Sequence, residues 1–347
     1  MTTPIDADPA HSPAARVPNP GLRKRLVAGL TLGLAVYLVL ILYGDLRQLP
    51  AELRSFPWQW LPVVLGLTLV NYAGRLLKWH WYLHVVHSPL RWFDSSRIFG
   101  AGMTMVMTPG KVGEFLKSYM VKNVAGTPMA ITAPIIVAER MSDGFALLVL
   151  ASIGLWSFPD PRLRLGALMG LAALVTVVVI VQFRPLAMRA LAFAERLPVI
   201  GRQAHNFEHF YESSYTLLKP RNLLPAVGIG IVSWACEGLA YYVVLVGFGV
   251  PPSASNALQS VFIFSISTIL GAVVATPGGL GATEASLVAL SQTIFGLDRT
   301  AATAAALVIR FCTLWFGVGI GLLCLLRWPD LLAGAPETVE EMDPGLP

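Results

Sequence analysis

Thr276-Pro277-Gly278-Gly279-Leu280-Gly281-Ala282-Thr283-Glu284 interrupts a strongly apolar region of the chain. Proline removes a backbone donor, and three glycines remove side chains and their conformational restraint. A continuous membrane helix is not written this way. Non-helical backbone at membrane depth is tolerated only where protein or a water-lined cavity covers it. A close relative of the stretch occurs once more, as Thr108-Pro109-Gly110-Lys111-Val112-Gly113-Glu114, at an offset of 276 − 108 = 168 residues. The chain therefore reads as two copies of one unit, each with its own broken helix.

Composition places both copies in a bilayer. Of 347 residues, 55% are hydrophobic and 13% charged, against roughly 25% charged in soluble domains. The net charge of +5 reflects loop asymmetry and is not a nucleic-acid footprint. Cys236, Cys312 and Cys324 lie in apolar segments without CxxC spacing, which points to buried free thiols. No HExxH, GxSxG, Walker loop or GxGxxG occurs, so no cofactor and no built-in ATPase motor is expected.

Full spans are expected over residues 26–43, 58–82, 131–158, 165–183, 223–248 and 301–326, because about 20 apolar residues cross a bilayer. Between them, residues 98–122 and 257–295 each carry a Thr-Pro-Gly break and read as re-entrant hairpins. Residues 1–22 are Pro- and Ala-rich and expected to be disordered; 184–221 form a basic connector with amphipathic helices on the membrane surface; 328–347 form an acidic tail. Lys and Arg outside the spans concentrate on one side, which puts both termini in the cytoplasm. The expected fold is an all-α integral membrane protein: about six full transmembrane helices plus two re-entrant helical hairpins in an inverted-topology repeat. Repeat one covers residues 23–160 and repeat two 161–327 of a single membrane domain, 23–327. The hairpins enter from opposite sides, so Thr108, Pro109, Gly110 and Gly113 are expected to approach Thr276, Pro277, Gly278, Gly279 and Gly281 near the midplane. Residues 257–275 are also long enough to be a full span.

Charges inside spans cost about 2.5–3.5 kcal/mol each on the translocon scale, yet this chain keeps many. The candidate substrate-binding residues are Arg75, Lys78, Lys111, Glu114, Glu139, Arg140, Asp143, Glu237, Glu284 and Arg310. Glu114 and Glu284, and likewise Arg140 and Arg310, are each 170 residues apart. A costly charge kept in both copies argues for a shared cavity. Blander readings stand beside this one. Lys78, Lys117 and Lys122 can snorkel at the interface. Glu114 can pair with Lys111 or Lys117 along its helix, Arg310 can pair with Glu237, and Glu139, Arg140 and Asp143 can form an internal lock. His80, His84 and His87 have helical spacing, but their aromatic neighbours suggest an interfacial belt, and no metal site is expected.

Arg75…Lys78-Trp79, Thr108-Pro109-Gly110-Lys111-Val112-Gly113-Glu114, Glu139-Arg140…Asp143, Pro277-Gly278-Gly279-Leu280-Gly281…Glu284 and Arg310…Trp315 together resemble the lysylphosphatidylglycerol synthase transmembrane-region family. This is the flippase-like membrane domain of the multiple peptide resistance factor, found alone in many bacterial and archaeal proteins. The resemblance covers residues 25–327. It implies a stand-alone member without the soluble synthase domain, which moves an anionic or aminoacylated phospholipid, or a polyprenyl-phosphate-linked lipid, between leaflets of a cell membrane, in bacteria the inner one. Arg75, Lys111, Arg140 and Arg310 would hold a phosphate or acidic head group. Glu139, Asp143, Glu237 and Glu284 would take an amino group or protons. Membrane lipids are then the partners. Two other readings remain: an integral-membrane enzyme acting on a lipid head group, and a scaffold for a lipid-modifying enzyme. DedA-like membrane proteins also combine hairpins with intramembrane charges, and match these motifs less well.

Overall fold

A computed structural model describes residues 47–108, 113–155 and 204–332 continuously, with isolated positions between 31 and 39 and between 165 and 179. Most of the expected first and fourth spans, residues 1–22 and 333–347 of the tails, the first half of the connector, and Pro109, Gly110, Lys111 and Val112 lie outside the described residues. No strand occurs among the described residues. Trp58–Val85, Pro220–Gly247, Ala254–Val274 and Arg299–Arg327 are long and apolar enough to cross a bilayer. The helix Met129–Gly154 has 26 residues and is about 39 Å long at 1.5 Å per residue. It carries Glu139, Arg140 and Asp143, which lower its apolar character.

The helices are α1 (Leu49–Ser55), α2 (Leu61–Val85), α3 (Trp92–Gly102), α4 (Leu116–Ala125), α5 (Met129–Gly154), α6 (Ala204–Leu217), α7 (Pro220–Gly247), α8 (Ala254–Val274), α9 (Ala282–Phe295), α10 (Arg299–Arg310) and α11 (Phe316–Arg327). Local chemistry sets their ends. The Ser253 side chain caps α8 by accepting from the Asn256 N–H. Asp298 caps α10 by accepting from Thr300 and Ala301. Gly126 and Gly296 close α4 and α9 in the left-handed conformation, where a Cβ would be strained.

Helices α2 and α7 form the central antiparallel pair. Phe56, just before α2, stacks on Phe248, just after α7; Leu83 and Val86 share a cluster with Leu223 at the opposite end. The chain leaves this pair from both ends. At the Leu83 end it enters α3 and a 3-10 turn, Met103–Met107, then returns as α4. At the Phe248 end it enters α8, breaks at Pro277–Gly279 and returns as α9. The return along α8 follows from the contacts. Thr283 faces Gly271, whereas Tyr241, beside Phe264, hydrogen-bonds Ser291 further along α9. With 21 residues, α8 is itself long enough to cross a bilayer.

The turn that leads into the first break meets the second break. Met103–Met107 packs on Pro277–Gly279, and Met107, Leu280 and Leu314 form a small buried cluster between them. One long element passes both: α10 reaches the second break, and α11 continues along the first hairpin. Between these helices lies a π turn, Phe311–Trp315, which leaves backbone groups without regular partners. The Tyr72 hydroxyl donates to the Thr313 carbonyl at 2.7 Å and satisfies one of them.

Where α11 crosses the first hairpin, Gly321 is the spacer. A Cβ there would lie 2.6 Å from the Thr104 backbone nitrogen and 2.9 Å from the Gly100 carbonyl oxygen. Neither atom can move aside without moving the helix. Gly321→Ala is therefore expected to lower stability by about 1–3 kcal/mol, read as a lower thermal midpoint of the purified protein. Gly319→Ala, with nothing within 4 Å of its Cβ position, is the matched control.

Two sequence expectations change here. The second half of the connector, α6, packs on α5 and α7, and Leu217 and Leu218 are buried with Tyr82 and Leu83. Its end is docked on protein, because two adjacent leucines find an apolar pocket there. His87 leaves the histidine face: α2 stops at Val85 and the backbone turns left-handed at His87, with φ 56°. No metal-ligating cluster occurs among the described residues.

Candidate functional site

The site is built by the second break. Ala275, Gly278, Gly279 and Gly281 all have positive φ, at 57°, 64°, 70° and 88°. Three glycines thus occupy left-handed positions that other residues avoid. The backbone groups released by the break find partners. The Thr276 hydroxyl donates to the Leu280 carbonyl at 2.8 Å, and the Gly281 N–H donates to Glu284 Oε2 at 2.6 Å. Arg310 Nη2 donates to the Gly278 carbonyl at 2.7 Å. Arg310 Nε also bonds Glu284 Oε1 at 2.5 Å. Glu284 is wholly buried, so this pair has left both water and lipid. Charge-assisted bonds at this distance are among the strong ones.

The first half carries the corresponding pair, Arg140 with Glu114, at 3.5 Å. In each half, a glutamate just after the break meets an arginine of the next long helix. Glu114 thus meets a cation of another helix, and Arg310 takes Glu284 where the sequence offered Glu237. The first pair sits in a larger network. Lys78 Nζ bonds Asp143 Oδ1 at 2.5 Å and Ser142 Oγ at 3.0 Å. Lys117 Nζ bonds Glu139 Oε2 at 2.6 Å, with its ammonium 4.4 Å from the Trp79 ring centroid. Arg140 also reaches Asp143 at 3.3 Å. Lys78 is 1% exposed and Lys117 is buried, so neither snorkels; Lys122 is exposed and remains free to do so. The expected internal lock of Glu139, Arg140 and Asp143 is mostly a set of ties between helices.

Against the broken second half lies a cavity of about 90 Å³. Its wall includes Arg75, Trp234, Glu237, Gly278, Thr283 and Arg310, together with Met103 and Val106 from the first hairpin. Both halves of the chain therefore contribute to it. Arg75 approaches the Trp234 ring with its guanidinium carbon 5.9 Å from the centroid, and Glu237 is buried. A space of this size holds several waters or one small polar group.

The ten candidate residues do not share one chamber. Arg75, Glu237 and Arg310 line the cavity. Glu284 stands behind Arg310. Lys78, Glu114, Glu139, Arg140 and Asp143 form the neighbouring network, and Lys111 lies outside the described residues. Of the tip residues, Thr108 is buried and its hydroxyl accepts from the Gly113 N–H at 2.8 Å. Sequence reasoning missed Trp234 and Tyr72. Each lies three residues before a charge that was noticed, Glu237 and Arg75, and so shares its helical face.

Comparison with known proteins bears on this arrangement. A family model described as the lysylphosphatidylglycerol synthase TM region matches residues 27–321. A UPF0104 membrane protein of Methanothermobacter thermautotrophicus is 25% identical over 317 residues, covering 84% of this chain and 90% of that protein. A second match to a UPF0104 membrane protein of the same organism is 25% identical over 235 residues, 61% of this chain and 68% of that protein.

Proposed function

This chain belongs to the lysylphosphatidylglycerol synthase transmembrane-region family, and from that premise we propose that it moves an anionic lipid between the leaflets of a cell membrane. The observation that carries the reading is the packing of the turn Met103–Met107 on the second break, reached from opposite ends of the α2–α7 pair, at a cavity lined by charges from both halves of the chain. In this reading α3–α4 and α8–α9 are re-entrant hairpins of an inverted repeat, with repeats over residues 23–160 and 161–327 and about six full spans. Both termini are cytoplasmic, and in bacteria the membrane is the inner one. Broken backbone beside a polar cavity is where such folds bind charged cargo.

The cargo is a phospholipid, aminoacylated or not, or a polyprenyl-phosphate-linked lipid. Its head group enters the cavity while its chains stay among the exposed apolar side chains, such as Val232, Leu322 and Leu323. The protein is a carrier, not an enzyme. Product formation from a lipid by protein in detergent, without two leaflets, would instead support head-group chemistry.

The test is translocation in reconstituted vesicles. Fluorescent phosphatidylglycerol in the inner leaflet becomes accessible to an external quencher when the wild-type protein is present. Arg140→Ala is expected to slow this by at least about tenfold, which corresponds to 1.4 kcal/mol, while inserting normally. No rate above that of empty vesicles, for any anionic lipid and the wild-type protein, would overturn the reading.

A further inference from the structure

We infer that the π turn Phe311–Trp315 is a register switch within the span Arg299–Arg327, and that the Tyr72 hydroxyl is the wedge that holds it open. In a regular α-helix the Gly317 N–H donates to the carbonyl four residues back, that of Thr313. Here the Thr313 carbonyl accepts from the Tyr72 hydroxyl at 2.7 Å, and the Gly317 N–H faces the same phenol oxygen. The phenol thus stands in the place of one ladder bond, and a side chain inserted there distorts a helix locally. Gly317 makes room for it, because a Cβ at that position would lie 2.6 Å from Tyr72 Oη and 3.0 Å from Met103 Cε. The bonding pattern changes beside the wedge: the Phe316 N–H bonds the Phe311 carbonyl, five residues back. Tyr72 belongs to α2 and stacks on Phe316, with ring centroids 6.3 Å apart, so the wedge comes from outside the span that it opens.

A single π turn carries one residue more than the α-helical turn it replaces. At roughly 100° per residue, that insertion turns α11 by about 100° relative to α10. In an unbroken helix Arg310 and Gly321, eleven residues apart, would point within about 20° of each other. With the insertion, Arg310 serves Glu284 and the Gly278 carbonyl at the second break, while Gly321 lies against Thr104 and Gly100 of the first hairpin. The span therefore has two settings. In the open one the phenol satisfies the Thr313 carbonyl; in the closed one the Gly317 N–H does, so that carbonyl is paired in both. The settings differ in the face that α11 presents to the first hairpin while α10 stays on the second break. Tyr72, Arg310, Thr313, Leu314 and Gly317 all line the cavity of about 90 Å³, so whatever fills that space bears on the wedge. The switch rests on this geometry alone and not on the transporter reading.

The test reads the phase of α11 directly. A Cβ at position 100 would lie 3.7 Å from Cys324 Cβ and 2.7 Å from its Sγ, and the first distance is the Cβ–Cβ spacing of a disulfide. Purified full-length Gly100→Cys protein is oxidised with copper phenanthroline, and the linked peptide pair is quantified by mass spectrometry. Linking to Cys324 is expected to be rapid in the open setting, and a turn of about 100° withdraws Cys324. Adding Tyr72→Phe, which keeps the ring and loses only the hydroxyl, should slow linking by roughly tenfold or more. Gly317→Ala, which displaces the phenol from the other side, should do the same. Gly319→Ala, with nothing within 4 Å of its Cβ position, should leave linking unchanged. Deleting Phe311, an exposed residue of the turn, removes the insertion without turning either end; linking should then persist and no longer depend on Tyr72. No linking in Gly100→Cys alone, or undiminished linking in Tyr72→Phe, would overturn the switch. A loss with Tyr72→Phe that survives the Phe311 deletion would also overturn it, because it would report a fold defect and not a change of register. Translocation enters none of these outcomes, so a failed vesicle assay leaves the switch standing.

Discussion

Arg310→Met should abolish lipid translocation and sharply destabilise the second half of the protein. The change leaves the Glu284 carboxylate, wholly buried, with the Gly281 N–H as its remaining partner among the bonds described above, and it removes the donor to the Gly278 carbonyl. Removing one member of a buried ion pair costs about 3–5 kcal/mol, because the other charge stays behind. The expected readout is a large fall in thermal midpoint by size-exclusion after heating. Adding Glu284→Gln should recover much of that stability, since a neutral amide no longer needs a counter-charge and can still accept from Gly281. Transport should not return in the double variant, because the break is no longer held from α10. An unchanged midpoint in the single variant would show that the pair contributes nothing to the fold.

Lys78→Met is the second large expectation, and it separates two physical pictures. If the ammonium snorkelled, methionine would be neutral or better at this depth. The structure instead buries Lys78 against Asp143 and Ser142. The substitution leaves Asp143 with Arg140, at 3.3 Å, as its ion-pair partner among the described residues, and should also cost on the order of 3–5 kcal/mol. Lys78→Met with Asp143→Asn should be closer to the wild type than either single change, a coupling that a double-mutant cycle reads directly. Additive effects of the two changes would return Lys78 to the interface.

The relation between these two sites explains which part of the charge pattern was legible. The 170-residue spacing of Glu114 with Glu284, and of Arg140 with Arg310, is visible because charges stand out against an apolar background. What the spacing does not contain is who touches whom. Glu114 was equally consistent with lysines on its own helix, and Arg310 with Glu237. Helical periodicity ranks neighbours within one helix, whereas both glutamates found arginines on another. Lys78 shows the same limit. A lysine near a helix end is an interfacial residue or a buried one according to whether Asp143 stands opposite it, and α5 decides that.

The sequence alone determined that this chain is a helical membrane protein with a break at Pro277–Gly279 and charges inside its apolar helices, because apolar run length, Pro-Gly breaks and isolated charges are local properties with direct physical costs. Only the tertiary structure decided that the turn Met103–Met107 packs on the second break, that Arg310 is spent on Glu284 and the Gly278 carbonyl, and that residues of both halves of the chain line one cavity. Those outcomes depend on how α2, α7, α8 and α10 pack at the small residues between them. Packing distances of a few ångströms between helices far apart in the chain leave no mark in the order of the residues.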